Sequence, residues 1–149
     1  MQKLNQSYIR SVVKKALEED LKPSGDITTK LIKFKNKKTK AQIVAKQNGV
    51  ISVLDFCKTV FKLVGKETVF ISKVKDGSKV KKNKAIAEIK AKTKTILIAE
   101  RTALNFLNHA SGIATLTNLF VQKVNKKTKI CCTRTVSYTH LTLPTTPYV

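Results

Sequence analysis

The apolar residues of this chain change their spacing several times, and these changes restrict it to folds that mix helices with short strands. Apolar residues recur at helical spacing over residues 7–21, over the later part of 50–64 and from about residue 100 to residue 124. The segments between them alternate or form short apolar runs. The predicted strands are residues 40–45, 68–74, 80, 85–89, 95–98 and 129–132. The predicted class is α/β, with mostly antiparallel strands first and a βαβ-type pattern starting at the end.

Turn-forming residues separate these elements. Pro23 and Gly25 end the first helix. Further turn or stop signals are Asn48-Gly49, Gly65 and Asp76-Gly77. The last helical segment crosses Ser111-Gly112, where a break is the alternative to one long helix.

The composition is that of a folded domain rather than a disordered or membrane-spanning chain. The 149 residues give room for one domain or one and a half, and 42% of them are hydrophobic. No apolar run approaches the roughly 20 residues that a membrane span needs. The N-terminal segment lacks the apolar core of a signal peptide, so we expect a cytoplasmic protein without a membrane partner.

The net charge of +21 makes nucleic acid an obvious candidate partner. The lysines are spread through the chain, however, and no aromatic residues interleave with them as a stacking platform requires. A lysine-rich genome produces the same composition. We therefore do not expect nucleic acid as a partner, and a basic RNA-binding module remains an alternative function. The few arginines, Arg10, Arg101 and Arg134, stand out against this background because only arginine offers a planar fork of donors.

The three cysteines, Cys57, Cys131 and Cys132, do not indicate a metal site. They form no CxxC pair and have no second pair of metal ligands. Two of them end the apolar run 129–132, where reduced, buried packing residues are the usual case. We expect no protein-held metal in this chain.

The composition changes at Val136, where lysine disappears and threonine and proline dominate. Residues 136–149 resemble the translation of a transposase-type sequencing-library adapter, with the junction inside the codon of Thr135. The alternative is a natural Thr/Pro-rich tail. With the adapter interpretation, the biological sequence ends at Arg134 and the tail carries no function.

Two arginines are candidate ligand-binding residues on their chemistry alone. Arg101 lies in the first turn of a helix predicted to start near residue 100, where the helix N-terminus also attracts anions. The alternative is a surface ion pair with an acidic neighbour. Arg134 follows the predicted buried strand 129–132, and ligands gather at such strand ends in α/β folds, although an ordinary solvent-facing charge is equally compatible.

Several motifs resemble the quinolinate phosphoribosyltransferase family at matching spacing. They are ALEEDL (16–21), GDITT (25–29), ERTALNFL (100–107), SGIAT (111–115) and Thr133-Arg134. The pair ERTALNFL and SGIAT is highly specific, whereas Thr133-Arg134 alone is weak. The resemblance covers the chain through Arg134.

The resemblance implies a pentosyltransferase of NAD synthesis. The family converts quinolinate and phosphoribosyl pyrophosphate to nicotinate mononucleotide, pyrophosphate and CO2, with Mg2+, and acts as a homodimer or higher homo-oligomer. It implies that Arg101 reaches across the dimer interface to the partner's quinolinate. It also implies that Thr133 and Arg134 lie at the substrate. Position 135 departs from the family's lysine, as expected if the adapter starts there.

The implied organisation is an α+β sandwich domain over residues 1–110, the first segment of an incomplete α/β barrel over 111–134, and the added tail over 135–149. Asp20 and Asp26 are expected to hold the turn of the N-terminal domain, and His109 to be a surface or packing residue. Such a chain would expose unpaired apolar surface, be poorly soluble and have no activity alone. A molybdenum-associated paralogue of the same fold is an alternative. A swinging-arm carrier domain is disfavoured because no modifiable lysine stands at a hairpin tip.

Overall fold

The computed structural model describes residues 4–22, 25, 37–124, 128 and 130. The helices are α1 (Gln6–Leu21), α2 (Leu54–Val64) and α3 (Thr93–Lys123). The strands are β1 (Lys38–Val44), β2 (Gly49–Val50), β3 (Val69–Ser72), β4 (Lys79–Val80) and β5 (Ala85–Lys92). The predicted strand 129–132 lies outside the described residues.

Helix α1 is an amphipathic surface helix, as its spacing predicts. Asn5 caps it by accepting a hydrogen bond from the backbone N–H of Ser7 at 2.9 Å. The buried stripe is Ile9, Val13 and Leu17, one residue every four positions. The neighbouring Tyr8 lies outside this stripe and is 55% exposed. At the start of α1, packing therefore buries Ile9 rather than Tyr8.

Strands β1, β5 and β3 form an antiparallel sheet in that order. Ile89 of the central strand β5 lies opposite Ala41 of β1 on one side and opposite Phe70 of β3 on the other. Ile43, Ala87, Ile89 and Ala91 are buried beneath the helices, whereas alternate residues face outward. The antiparallel pairing expected for the first part of the chain is confirmed for the described strands.

Helix α2 starts after an unusual backbone conformation. Val53 has a φ of 58°, in the left-handed region that a β-branched residue rarely adopts. The Asp76 carboxylate compensates by accepting a hydrogen bond from the backbone N–H of Leu54 at 3.0 Å. The Asp76-Gly77 turn thereby caps α2 from a distance of 22 positions in the sequence. Gly65 ends α2, as predicted.

Helix α3 is longer than its sequence pattern predicts. The predicted strand 95–98 is wrong, because these residues form the first turns of α3. A short apolar run rich in β-branched residues fits either structure. In the helix, Ile96 packs against the core and Thr95 lies next to Gly65 at the end of α2. The helix also continues without a break through Ser111 and Gly112 to Lys123.

The elements form three layers, with α2 and α3 on one face of the sheet and α1 packed across both helices. The core lies between the sheet and these helices and includes Val60, Phe61, Ala99, Ala103 and Leu107. The α+β character expected for the N-terminal part is confirmed. None of the described helices is both long and apolar enough to cross a membrane.

Candidate functional site

Arg101 lies on the solvent side of α3, well inside the helix. Because α3 begins at Thr93, more than two turns precede Arg101, and its expected place in the first turn is wrong. The helix N-terminus therefore does not contribute to an anion site at this residue. The Arg101 side chain is 75% exposed, and its Nη1 lies 3.3 Å from Oδ1 of Asp20. The surface ion pair considered as the alternative is thus present.

Asp20 connects two of the motifs that the sequence separates by about 80 positions. Its Oδ2 accepts a hydrogen bond of 2.9 Å from the Thr102 hydroxyl, while Oδ1 contacts Arg101. Thr102 is only 5% exposed, so this bond is protected from water, whereas the contact with the exposed Arg101 is weakened by solvent. The end of α1 is therefore tied to α3 by one carboxylate. Most of the turn that Asp20 and Asp26 were expected to hold lies outside the described residues.

An open groove of about 1100 Å³ lies beside this junction, between α1, the start of α2 and α3. Asp20 and Thr102 line it on one side. Its apolar wall includes Phe56 and Phe106, whose ring centroids lie 5.3 Å apart. His109 lies exposed among its lining residues, in agreement with the expected surface position. The groove places the exposed polar face of α3 next to an aromatic surface.

The SGIAT motif has a structural role that the sequence did not reveal. Ser111 and Thr115 lie one turn apart on α3, and their hydroxyls accept hydrogen bonds from the backbone N–H groups of Ser52 and Val50. The distances are 3.1 and 2.8 Å. A Cβ at Gly49 would lie 2.9 Å from Oγ1 of Thr115, so this glycine permits the close approach. The only signal in the sequence was the combination of two hydroxyl residues at helical spacing with a distant glycine.

The remaining candidates differ in what the structure says of them. Thr133, Arg134 and Asp26 lie outside the described residues. Among the described residues, no group of three or more acidic, histidine or cysteine side chains could hold a metal ion.

Burial raises the pKa of the Cys57 thiol from 9.0 to about 12. This thiol is therefore protonated at neutral pH and is a packing residue rather than a nucleophile.

The sequence model of the family described as "Quinolinate phosphoribosyl transferase, N-terminal domain" matches residues 26–111. This match covers more than half of the chain. It contains Gly49, Arg101, Thr102 and Ser111. Asp20 and Thr115 lie just outside it.

Individual relatives agree with this match. The probable nicotinate-nucleotide pyrophosphorylase (carboxylating) of Methanocaldococcus jannaschii is 40% identical over 85% of this chain and 44% of its own length. The protein of the same name in Bacillus subtilis is 32% identical over 88% of this chain and 45% of its own length. The solved nicotinate-nucleotide pyrophosphorylase of Francisella tularensis superposes with a TM-score of 0.77 at 31% identity, over 83% of this chain and 44% of that one. The chain thus spans about half the length of the relatives it matches.

Proposed function

Because the chain belongs to the quinolinate phosphoribosyltransferase family, we propose that it forms the N-terminal part of a cytoplasmic enzyme of NAD synthesis. The proposed reaction converts quinolinate and phosphoribosyl pyrophosphate to nicotinate mononucleotide, pyrophosphate and CO2. This is a pentosyl transfer, and the relatives that carry the name of this activity are more than twice as long as the matched region. The activity is therefore proposed for the whole protein, to which this chain contributes its N-terminal domain and the proposed substrate-binding residues Arg101, Thr133 and Arg134.

The exposed guanidinium of Arg101 is the observation that supports the proposal most directly. Its backbone is fixed in the interior of α3, next to Thr102 and Ala103, which are buried. Its side chain points outward, and the contact with Asp20 uses Nη1, one of several donor atoms in a guanidinium. A guanidinium of this kind has donors left for the carboxylates of quinolinate. In our proposal it serves the substrate bound by a partner subunit in a homodimer or higher homo-oligomer.

Thr133 and Arg134 complete the proposed substrate-binding set. Both substrates are polyanions, so hydrogen-bond donors and positive charge at the departing pyrophosphate would stabilise the transition state. Mg2+ is proposed to accompany phosphoribosyl pyrophosphate and to share its charge. The described residues offer no cluster for this ion, and we assign none of them to it.

A chimera would test the proposed activity. Residues 1–134 of this chain would replace the matching N-terminal region of the Methanocaldococcus jannaschii relative, and formation of nicotinate mononucleotide from the two substrates would be followed. We expect an active enzyme. Arg101→Ala should lower kcat/KM for quinolinate by on the order of 100-fold, because a carboxylate would lose its charged partner.

Arg10→Ala is the matched control, because Arg10 is an exposed arginine on α1. It should leave kcat/KM within about twofold, since surface substitutions have small effects. A folded, oligomeric chimera that makes no product would contradict the proposed function. Equal effects of the two substitutions would contradict the role of Arg101 alone.

The 149-residue chain by itself is expected to form no nicotinate mononucleotide, because it matches only 44% of the length of the Methanocaldococcus jannaschii relative and we propose that the rest of the substrate site lies in the unmatched part. Purified chain would be incubated with quinolinate, phosphoribosyl pyrophosphate and Mg2+. Product above a control lacking protein would show that the catalytic groups lie within these residues, contrary to the proposal.

A further inference from the structure

Four lysines from two distant segments of the sequence lie together on the outward face of the sheet. Lys38 on β1 is directly opposite Lys92 on β5, and Lys40 is directly opposite Lys90. All four are exposed. We call this group the lysine face. Its two halves come from segments about 50 positions apart, so the sequence gives no indication of it.

The arrangement is unfavourable for the isolated protein. Like charges directly opposite each other on neighbouring strands destabilise a sheet, and here two such pairs are adjacent. Lys90 has one acidic contact, with Glu88 at 3.8 Å, and Glu88 also contacts Lys73 at 3.6 Å. No acidic side chain in the described part of the chain lies within 4.0 Å of the other three lysines. An external anion would relieve this repulsion.

The scattered lysines of the sequence did not predict a nucleic-acid partner, but the sheet brings four of them together. We propose that the lysine face binds the phosphates of a single-stranded nucleic acid without reading its base sequence. The two lysine pairs are two residues apart along the strands, which is about 7 Å. They therefore form a short, regularly spaced row of positive charge on a rigid backbone. Such a row suits the repeating phosphates of one strand, and each contact would release bound counterions.

The neighbouring outward residues support backbone contacts rather than base contacts. On β3 these are the aliphatic residues Val69 and Ile71, which pair with Lys90 and Glu88. The outward positions of the described strands around the lysine face hold no aromatic side chain on which a base could stack. The lysine face lies on a sheet rather than on an amphipathic helix, and the exposed Val69 and Ile71 beside it are aliphatic residues without the aromatic side chains that anchor a membrane-surface helix, which favours nucleic acid over a lipid surface. The proposal does not depend on the enzymatic function.

The test compares two variants of the full chain with the same loss of charge. In the first, Lys38, Lys40, Lys90 and Lys92 are replaced by Gln. In the second, four exposed lysines of turns are replaced by Gln, namely Lys46 between β1 and β2 and Lys81, Lys82 and Lys84 between β4 and β5. Binding of a short fluorescein-labelled oligouridine is measured by anisotropy over a series of salt concentrations. Circular dichroism checks that each variant is folded.

We expect the first variant to lose most of the affinity. The slope of log K against log salt should fall by about 3, since each phosphate contact of a single strand contributes about 0.7. The second variant should lose less than one such contact. Oligouridine should also raise the Tm of the wild-type chain, and this shift should disappear in the first variant.

Three results would overturn the proposal. Equal losses in the two variants would mean that net charge alone causes the binding. Absence of binding by the wild-type chain at low salt would remove the activity itself. Binding to phosphatidylserine vesicles is measured in parallel. If the first variant loses vesicle binding but keeps oligouridine binding, the lysine face binds a lipid surface instead.

Discussion

The two halves of α3 have the same helical spacing of apolar residues but very different surroundings. In the first half, residues 93–107, Ala99, Ala103 and Leu107 are buried in the core. In the second half, residues 111–123, the large apolar residues are exposed. These are Ile113 at 56%, Leu116 at 58%, Leu119 at 52%, Phe120 at 55% and Val121 at 43%.

The difference shows that spacing identifies a helix and its apolar face but not what covers that face. The first half packs against α2 and the sheet, so its apolar residues contribute directly to stability. The second half is linked through two hydroxyl groups, on Thr115 and Ser111, to Val50 of β2 and to Ser52 just after it, while its apolar residues face solvent. The unpaired apolar surface expected from the sequence is therefore present on the second half of α3.

The largest predicted difference between the two halves is in the free energy of unfolding, and a matched pair of leucine substitutions measures it. Leu107→Ala should lower the free energy of unfolding by about 2–5 kcal/mol, because Leu107 is 2% exposed and its removal leaves a cavity. Leu116→Ala should change it by less than about 0.5 kcal/mol, because Leu116 is already 58% exposed. Urea unfolding followed by circular dichroism measures both. Similar losses would mean that the second half is covered after all.

Removing a polar contact should also lower the free energy of unfolding more in the first half of α3 than in the second, by a smaller amount than the leucine substitutions. Thr102→Val keeps the shape of the side chain but leaves the Asp20 carboxylate without its protected donor, which should cost about 1–2 kcal/mol. Ser111→Ala removes a more exposed bond to the backbone of Ser52 and should cost about 0.5–1 kcal/mol. Arg101→Ala should have the smallest effect on stability, since its ion pair is on the surface. A larger loss for Ser111→Ala than for Thr102→Val would reverse the comparison.

Two glycines test how closely the second half approaches the rest of the molecule. Gly49→Ala should destabilise by about 1–2 kcal/mol, because its Cβ would lie 2.9 Å from Oγ1 of Thr115 and disturb the bond to Val50. Gly112→Ala should stabilise by about 0.5–1 kcal/mol, since no atom lies within 4 Å of the added methyl group and alanine favours a helix. Thermal unfolding should therefore show shifts of opposite sign. Equal shifts would contradict the tight contact at Gly49.

The sequence predicted the correct element where the local pattern and the packing favour the same structure. The four-residue spacing in α1, the stop at Gly65 and the alternation in β1 and β5 all correspond to observed elements. The segment 95–98 was predicted as a strand because four residues rich in β-branched side chains fit either structure. With Ile96 packed against the core, the segment instead forms the start of α3. The earlier start places Arg101 in the interior of the helix rather than in its first turn.

The candidate site was predictable only as a set of residue types. The motifs identified Asp20 and Arg101, but no periodicity could indicate that one carboxylate contacts both Arg101 and Thr102. The bonds that Ser111 and Thr115 accept from the backbone N–H groups of Ser52 and Val50 are likewise long-range and leave no local pattern. The proposed roles of Thr133 and Arg134 rest on the resemblance, because these residues lie outside the described part of the chain.

The exposed half of α3 should affect solubility rather than stability. Leu116→Gln combined with Phe120→Gln should leave the free energy of unfolding within about 0.5 kcal/mol, since both side chains are more than half exposed. It should reduce self-association in sedimentation experiments, because contiguous apolar surface promotes association. Leu4→Gln with Tyr8→Gln is the matched control, as these residues are equally exposed at the start of α1. An equal reduction by both pairs would mean that general surface hydrophobicity drives association. An effect of the first pair alone would show that chains associate through the second half of α3.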